Sequence, residues 1–129
     1  MLFRSDLIRS QVELIQKTGA FDASLEIAGE QRPLKPEKKL ILFRIVQEAL
    51  NNAMKHAQAR SIKVQVNYQN DSMSLKVLDD GKGYKAVTGP VHGTGTYNMH
   101  YRASLIGASL RMEGKPGAGT VVTLELPYS

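Results

Sequence analysis

The chain has 129 residues, 42% of them hydrophobic and 22% charged, which is the size and composition of one ordinary globular domain. The absence of cysteine excludes disulfides and thiolate metal sites, and no apolar run reaches the roughly 18–20 residues that a membrane-spanning helix needs. The formal net charge of +5 suits a nucleotide, a nucleic acid or simply a well-solvated surface, and does not choose among them.

The first predicted element is a helix from Ser5 to Lys17, with Gly19 following as a stop signal. Its apolar residues are expected on one face: Leu7, Ile8, Val12, Leu14 and Ile15. A strand follows, in which apolar residues alternate with polar ones: Ala23, Leu25 and Ile27.

After the linker QRPLKP, a long helix is predicted from about Glu37 to Ala57, with Pro36 suitably placed at its start. Its apolar residues recur at helical spacing: Leu42, Val46, Leu50 and Ala53. A β-hairpin is expected next, because two alternating stretches flank the turn residues Gln69–Asp71. The apolar residues of its two strands are Ile62, Val64, Val66 and Tyr68, then Met73, Leu75 and Val77.

The second half of the chain is rich in glycine, and Asp79 to Thr96 is predicted to be irregular. A helix is expected from about Tyr97 to Ile106, ending at Gly107. Two more strands, about Ser109–Glu113 and Thr120–Leu126, flank the turn GKPGAG. Three helices and about five strands in this order predict helices on one face of a mixed sheet, a two-layer α/β sandwich.

The long helix carries a polar stripe. Glu48, Asn52 and Lys55 lie at steps of four and three, so they share one face, and His56 lies four residues beyond Asn52. Such a stripe is typical of a solvated helix surface. However, Asn51 and Asn52 are poor helix formers, and a carboxylate one turn from an amide oxygen suits a magnesium ion that keeps its waters. These residues alone leave both interpretations open.

The sequence Asp79-Asp80-Gly81-Lys82-Gly83 begins where a predicted strand ends. A carboxylate there can accept a hydrogen bond from an exocyclic amino group such as that of adenine. Glycines let the backbone approach a flat ring closely. An ordinary Asp-Gly hairpin turn is the alternative, although no partner strand is evident after it.

Two further glycine pairs are candidates for binding residues. Gly93 and Gly95 precede the third predicted helix, whose N-terminus offers free backbone N–H groups to an anion. No GxGxxG or GxxxxGK[ST] motif is present, so a dinucleotide or P-loop site is unsupported. The Gly117-Ala118-Gly119-Thr120 stretch alone would be taken as a simple turn.

The order of these four pieces resembles a known family. ExxxN on a helix, DxGxG after a hairpin, GxG before a helix and GxGT before a last strand are similar to the ATP-binding domain of the gyrase, chaperone, histidine kinase and mismatch-repair ATPases. RIVQEALNNAMKHA closely resembles the N box of sensor histidine kinases of the nitrate- and lipid-sensor type. The resemblance spans about Leu7 to Pro127 and implies a Bergerat-type ATP-binding fold.

The resemblance also implies roles for individual residues. Asn52 would ligate magnesium, and Glu48 would act as the catalytic residue beside the metal and the γ-phosphate. Lys55 and His56 would neighbour the phosphates or the ribose. For the remaining positions, the implied role is contact with the nucleotide as base-binding residue, pocket wall, lid or cover: Asp79, Gly81, Gly83, Gly93, Gly95 and Thr120.

The resemblance implies two protein partners besides ATP and magnesium. Family members phosphorylate a histidine on a helical dimerisation domain and act upstream of a response regulator. That acceptor histidine is normally followed by an acidic residue, whereas Ala57, Gly93 and Tyr101 follow the three histidines here. We therefore expect residues 1–129 to form one catalytic domain that acts on an acceptor elsewhere, located in the cytoplasm without direct membrane contact.

Other functions remain as alternatives. A protein serine kinase of the anti-sigma type shares the fold, and an ATP-hydrolysing gyrase-like or chaperone-like domain would as well. A nucleic-acid module is disfavoured, because the positive residues are dispersed and no basic patch interleaved with aromatic residues is visible. Fold alone does not choose among these chemistries.

Overall fold

The computed structural model describes residues 6–56, 60–81, 94–115 and 119–128. The described part contains three helices and five strands. In chain order they are α1 (Asp6–Thr18), β1 (Asp22–Ala28), α2 (Pro36–His56), β2 (Ser61–Tyr68), β3 (Ser72–Asp79), α3 (Thr94–Leu105), β4 (Ser109–Lys115) and β5 (Gly119–Pro127).

The first helix buries a narrower apolar face than the sequence predicts. Its buried side chains, at steps of four and three, are Ile8, Val12 and Ile15. Leu7 and Leu14, which we predicted on the same face, are 46% and 59% exposed, so that part of the prediction is wrong. At about 100° per residue both lie roughly 100° from the buried stripe, which explains why they remain outside the contact with the sheet.

The long helix α2 is the central helix of the layer. Pro36 begins it with a pre-set backbone angle, and Glu37 in the first turn interacts favourably with the helix dipole. Its buried residues recur every three or four positions along one side: Leu42, Ile45, Val46, Ala49, Leu50 and Ala53. Burial of this stripe holds the helix on the sheet, since helical stability in proteins comes mainly from packing.

The five strands form one mixed sheet in the order β1-β2-β3-β5-β4. Strands β1 and β2 are parallel, with α2 in the crossover between them, and the other pairs are antiparallel. The predicted hairpin is confirmed, since the N–H of Gln69 donates to the carbonyl of Ser72 at 2.8 Å across its turn. The predicted two-layer sandwich is confirmed as well.

One face of the sheet is apolar and packs against the helices. Buried residues on β2 and β3 come at every second position, as a half-buried strand requires: Ile62, Val64, Val66 and Tyr68, then Met73, Leu75 and Val77. The same alternation continues on β5 with Val122, Leu124 and Leu126. The opposite face carries mainly polar side chains, among them a Lys63–Glu26 ion pair of 3.5 Å.

The third helix begins earlier than predicted. It starts at Thr94 and not near Tyr97, so Gly95 lies inside its first turn and does not precede it. Glycine is a poor helix former, which misplaced the predicted start, whereas packing of α3 on α2 and β4 overrides that local preference. The predicted end is confirmed, with Gly107 at a φ of 71°. None of the helices in the described part is both long and apolar enough to cross a membrane.

Candidate functional site

One end of the sheet, which we call the Asp79 end, brings four strands together at a single row of residues. Asp79 ends β3 and pairs with Ile62 of β2 on one side and Thr120 of β5 on the other. Thr120 in turn pairs with Gly114 of β4. Directly opposed residues in antiparallel strands point to the same face, so this row shares the face of Ile62, which is buried under the helices.

The apolar alternation of three strands stops at this row. On β3, the buried Val77 is followed two positions later by Asp79. On β5, the buried Val122 is preceded by Thr120, and on β4 the half-buried Met112 is followed by Gly114. The register therefore places a carboxylate, a hydroxyl and a residue without a side chain beside one another, where an all-apolar core would place three large side chains.

The Asp79 carboxylate is half-buried and already engaged with backbone. The N–H of Gly81 donates to its Oδ1 at 2.9 Å. Burial raises the pKa of Asp79, and backbone hydrogen bonds from Gly81 and Thr120 oppose that rise. An ionised carboxylate offers about four acceptor positions, so these two donors leave capacity for a further one. Asp79 is thus suited to accept a hydrogen bond from a ligand that enters from the helix side.

Gly119, the second glycine of the GxGT motif, has a defined position at this end. It begins β5 with a φ of 91°, a conformation that residues with a side chain rarely adopt. A Cβ at this position would collide with the carbonyl oxygen of Asp79 and would lie 3.2 Å from the Cα of Asp80. The glycine is needed because β5 starts in direct contact with the Asp79 backbone, and only the strand register shows this.

Asp80 makes long-range backbone contacts at this end that the sequence does not predict. Its Oδ1 accepts hydrogen bonds from the N–H groups of Arg60 and Ser61, at 2.8 Å and 2.9 Å. Its own N–H donates to the carbonyl of Ser61 at 3.2 Å. These backbone donors, first Ser61 and then Arg60, hold the pKa of Asp80 below its ordinary value. In the DxGxG motif Asp79 is the named aspartate and Asp80 is the variable position, so the motif gives Asp80 no role.

The polar stripe of α2 is partly accessible. Glu48 and Asn52 are half-buried, Lys55 is exposed, and His56 is the last residue of the helix. Four peptide links join His56 to Arg60, which limits their Cα separation to about 14 Å. Since Arg60 is bonded to Asp80, the end of α2 lies near the Asp79 end of the sheet. The hydrogen bond and the chain length therefore place the His56 end of the α2 stripe at the same end of the sheet as Asp79.

The remaining predicted site residues divide into two groups. Gly81 is buried beside Asp79, and Thr120 is half-buried in the same row. Gly95 lies in the first turn of α3, where backbone N–H groups have no partner within the helix. Gly83 and Gly93 lie outside the described residues. Among the residues that are described, no group of three or more His, Asp or Glu side chains could hold a metal ion unaided.

Comparisons with known proteins give a consistent result. The family model described as "Histidine kinase-, DNA gyrase B-, and HSP90-like ATPase" matches residues 37–129. Over 94 residues the chain is 35% identical to the oxygen sensor histidine kinase NreB of Staphylococcus carnosus, covering 72% of this chain and 27% of NreB. Over 86 residues it is 38% identical to the sensor histidine kinase LiaS of Bacillus subtilis, covering 67% of this chain and 24% of LiaS. The chain thus spans about a quarter of the length of these relatives.

Solved structures show the same fold. The histidine kinase domain of the Erythrobacter litoralis EL346 blue-light activated histidine kinase superposes with a TM-score of 0.81 at 21% identity, covering 97% of this chain and 60% of that one. The catalytic domain of histidine kinase ThkA superposes with a TM-score of 0.77 at 17% identity, covering 96% of this chain and 91% of that one. At these identities the similarity establishes the fold alone.

Proposed function

The chain belongs to the histidine kinase-, DNA gyrase B- and HSP90-like ATPase family, and from that premise we propose that it binds Mg-ATP and donates the γ-phosphoryl group to a histidine of a separate helical dimerisation domain. The observation that carries this proposal is the row at the Asp79 end. There Asp79, Thr120 and Gly114 interrupt three apolar strands at one level of the sheet, close to the polar end of α2.

The adenine would bind at this row. A half-buried carboxylate with spare acceptor capacity suits the exocyclic amino group of adenine, and burial strengthens a charge-assisted hydrogen bond. Gly81 and Gly83 would let the backbone lie close to the ring, and Thr120 would cover it from β5. Gly93 and Gly95 would bring the start of α3 over the phosphates, where unpaired N–H groups favour an anion.

The side chains of α2 suit magnesium. A carboxylate at Glu48 and an amide at Asn52 supply too few oxygens for an all-protein cage, but magnesium commonly keeps waters and takes its other oxygens from phosphates. When bound, the ion neutralises charge on the β- and γ-phosphates. Asn52 would ligate it, with Lys55 and His56 beside the phosphates or the ribose.

In the reaction, an imidazole nitrogen of the acceptor attacks the γ-phosphorus. The bond from the γ-phosphorus to the β–γ bridging oxygen breaks, ADP leaves with that electron pair, and an N–P bond forms. Glu48 is the residue that we place beside the acceptor to orient it and to take its ring proton. Apart from this proton transfer, catalysis by this domain consists of positioning and charge neutralisation, as in phosphoryl transfer generally.

The proposed setting is a two-component sensor kinase. The dimerisation domain carries the acceptor, a response regulator receives the phosphoryl group, and the catalytic domain works in the cytoplasm, where ATP is available. The two similar proteins named above are sensor histidine kinases, which supports this setting.

A labelling experiment tests the proposal. Radiolabelled Mg-ATP is supplied to this chain alone, to the dimerisation helices of its parent kinase alone, and to both together. We expect acid-labile, base-stable label only in the mixture and only on the helices, because phosphohistidine has that stability. The rate should be low, since a bimolecular encounter forfeits the effective concentration of a tethered one.

Two results would contradict the proposal. Acid-labile label on the chain by itself would show that one of its own histidines is an acceptor. Acid-stable label on a serine of an added partner would favour the anti-sigma type of kinase. Transfer should also require magnesium, so equal transfer with the ion chelated would remove the metal from the mechanism.

A further inference from the structure

Asp80 and Asp79 are adjacent, but their carboxylates face different partners. Asp79 lies on the helix-facing row and is half-buried, whereas Asp80 is exposed and bonds to the start of β2. An exposed aspartate commonly bonds only to water. Here a single oxygen accepts two backbone N–H groups from residues 19 and 20 positions earlier in the chain. Such long-range contacts fix one segment relative to another.

Arg60, which donates to Asp80, also makes a backbone hydrogen bond to β1. The carbonyl of Arg60 accepts the N–H of Asp22 at 2.8 Å, so residue 60 joins the beginning of β1 to Asp80. Arg60 lies only four positions beyond His56, the last residue of α2. Through Asp80, the end of β3 at which Asp79 lies is therefore tied to Arg60, just beyond the helix that carries Glu48 and Asn52.

The backbone of Asp80 is also in close contact with β5. Gly119 of β5 is packed so closely that a Cβ there would lie 3.2 Å from the Cα of Asp80. The Asp80 N–H bonds to Ser61 on the β2 side. Asp79 to Gly81 form a short turn that is closed by the hydrogen bond from the Gly81 N–H to the Asp79 carboxylate, and this turn is thus held between β2 and β5.

From these contacts we infer that Asp80 is a positioning residue for base recognition: by accepting the N–H groups of Arg60 and Ser61, it fixes the turn in which Asp79 faces the adenine. This inference rests on the proposed function, because it assumes that adenine binds Asp79. Asp80 does not itself touch the nucleotide. Binding sites need supporting contacts that hold the recognising group to within about 0.5 Å, and Asp80 supplies such a contact.

Two substitutions at Asp80 separate the effect of its hydrogen bonds from the effect of its negative charge. Asp80→Asn keeps an acceptor oxygen with two lone pairs and removes the charge, whereas Asp80→Ala removes both. If the hydrogen bonds matter, Asp80→Asn binds like the wild type and Asp80→Ala binds more weakly. If only the negative charge of Asp80 matters, the two variants behave alike.

The experiment is calorimetric titration of the whole chain with non-hydrolysable ATP and GTP analogues and with inorganic tripolyphosphate. We expect Asp80→Ala to lose roughly tenfold in affinity for the ATP analogue, because the carboxylate that binds the base is no longer held in place. Its affinity for tripolyphosphate, which has no base, should stay within about twofold, and its preference for ATP over GTP should fall. Asp80→Asn should restore both affinity and preference.

Two further variants serve as a negative and a positive control for the effect of Asp80→Ala on nucleotide binding. Asp71→Ala removes another exposed aspartate, in the β2–β3 turn at the opposite end of the sheet, and should bind as the wild type does. Asp79→Asn should weaken binding of the ATP analogue. Amide hydrogen exchange at Arg60 and Ser61 gives a readout without nucleotide: exchange should accelerate in Asp80→Ala and remain slow in Asp80→Asn.

Failure of the Asp80 role and failure of the proposed function would give different results. Binding of the ATP analogue by Asp80→Ala as tightly as by the wild type, with Asp79→Asn weakened, would overturn the role of Asp80 and leave the proposed function standing. Equal losses in Asp80→Ala and Asp80→Asn, or an equal loss for tripolyphosphate, would also overturn it. A wild-type chain that bound neither nucleotide analogue would overturn the proposed function and this inference together.

Discussion

At both ends of the sheet a glycine packs against a carbonyl oxygen of a neighbouring strand, but the side chains beside it are apolar at one end and polar at the other. At the end where β2 finishes, which we call the Tyr68 end, Gly29 has a φ of 87° and a Cβ there would collide with the carbonyl oxygen of Tyr68. At the Asp79 end, Gly119 lies in the same relation to the carbonyl oxygen of Asp79. In both places a strand passes so close to a neighbouring strand end that only glycine fits.

The rows beside these two glycines differ in polarity. At the Tyr68 end, Tyr68, Met73 and Leu126 are opposed and all buried. At the Asp79 end, the equivalent positions on β3 and β5 are Asp79 and Thr120. The difference shows that close strand approach belongs to the architecture, whereas the exchange of apolar for polar side chains at one end marks the candidate site.

The sharpest test of this difference is Asp79→Asn. An amide can accept from adenine in only one orientation and carries no charge, and hydrogen bonds to charged groups are worth roughly 1.5–3 kcal/mol. Affinity for a non-hydrolysable ATP analogue should therefore fall about ten- to a hundredfold in calorimetry. Asp71→Asn, at the Tyr68 end, is the control and should leave the affinity unchanged. Unchanged affinity in a folded Asp79→Asn variant would remove Asp79 from the site.

Substitutions at Gly29 and Gly119 separate the effect of the close backbone contact on stability from its effect on nucleotide binding. Gly119→Ala and Gly29→Ala should each lower the free energy of unfolding by about 1–3 kcal/mol or more, because a strained φ and a collision with a carbonyl act together. Gly19→Ala, at a φ of 73° with nothing within 4 Å, isolates the conformational cost and should lose about 1–2 kcal/mol. Denaturant unfolding measures all three.

Only one member of the glycine pair should affect binding. Measured where each variant is folded, Gly119→Ala should lower ATP-analogue affinity by roughly tenfold, because the Asp79 backbone must move, whereas Gly29→Ala should bind normally. Equal affinities for the two variants would show that the Asp79 end tolerates displacement and is not the base-binding region.

The smallest effect concerns pH and distinguishes the two adjacent aspartates. Burial raises the pKa of Asp79, so the folded state holds its proton more tightly, and stability is lost as pH rises from about 4 through the raised pKa. Backbone donors lower the pKa of Asp80, so its contribution is present above about pH 4 and is lost as pH falls through the lowered pKa.

Unfolding measured between pH 3 and 7 should therefore change in opposite directions for the two asparagine variants. Relative to the wild type, Asp79→Asn should gain stability as pH rises through this window, whereas Asp80→Asn should lose stability as pH rises, so that its deficit is largest near neutral pH and smallest at the acidic end. Both changes should be small, because Asp80 is exposed to solvent and Asp79 is only half-buried. Curves that stay parallel to the wild type would contradict both assignments.

Local patterns in the sequence predict the helices and strands and their order. Alternation at Ile62–Tyr68 and Met73–Val77 predicted the hairpin, and helical spacing predicted α2 to within about one residue at each end. These signals are local, since a side chain's face follows from its spacing alone. Local spacing failed for Leu7 and Leu14, whose exposure depends on how α1 rests on the sheet, and for the start of α3, where packing outweighs the poor helix preference of Gly95.

Strand pairing, which no local pattern predicts, brings together the residues of the row at the Asp79 end. Asp79 lies far along the chain from both Thr120 and Gly114, and a shift of one residue in the β3–β5 register would have turned Asp79 and Thr120 to different faces. The same holds for Gly119, which lies against Asp79 40 positions earlier, and for Asp80, which bonds to residues 19 and 20 positions earlier. Motif spacing identified the candidate residues, and strand pairing supplied the physical reason that they can act together, because pairing alone fixes distances between distant parts of a chain.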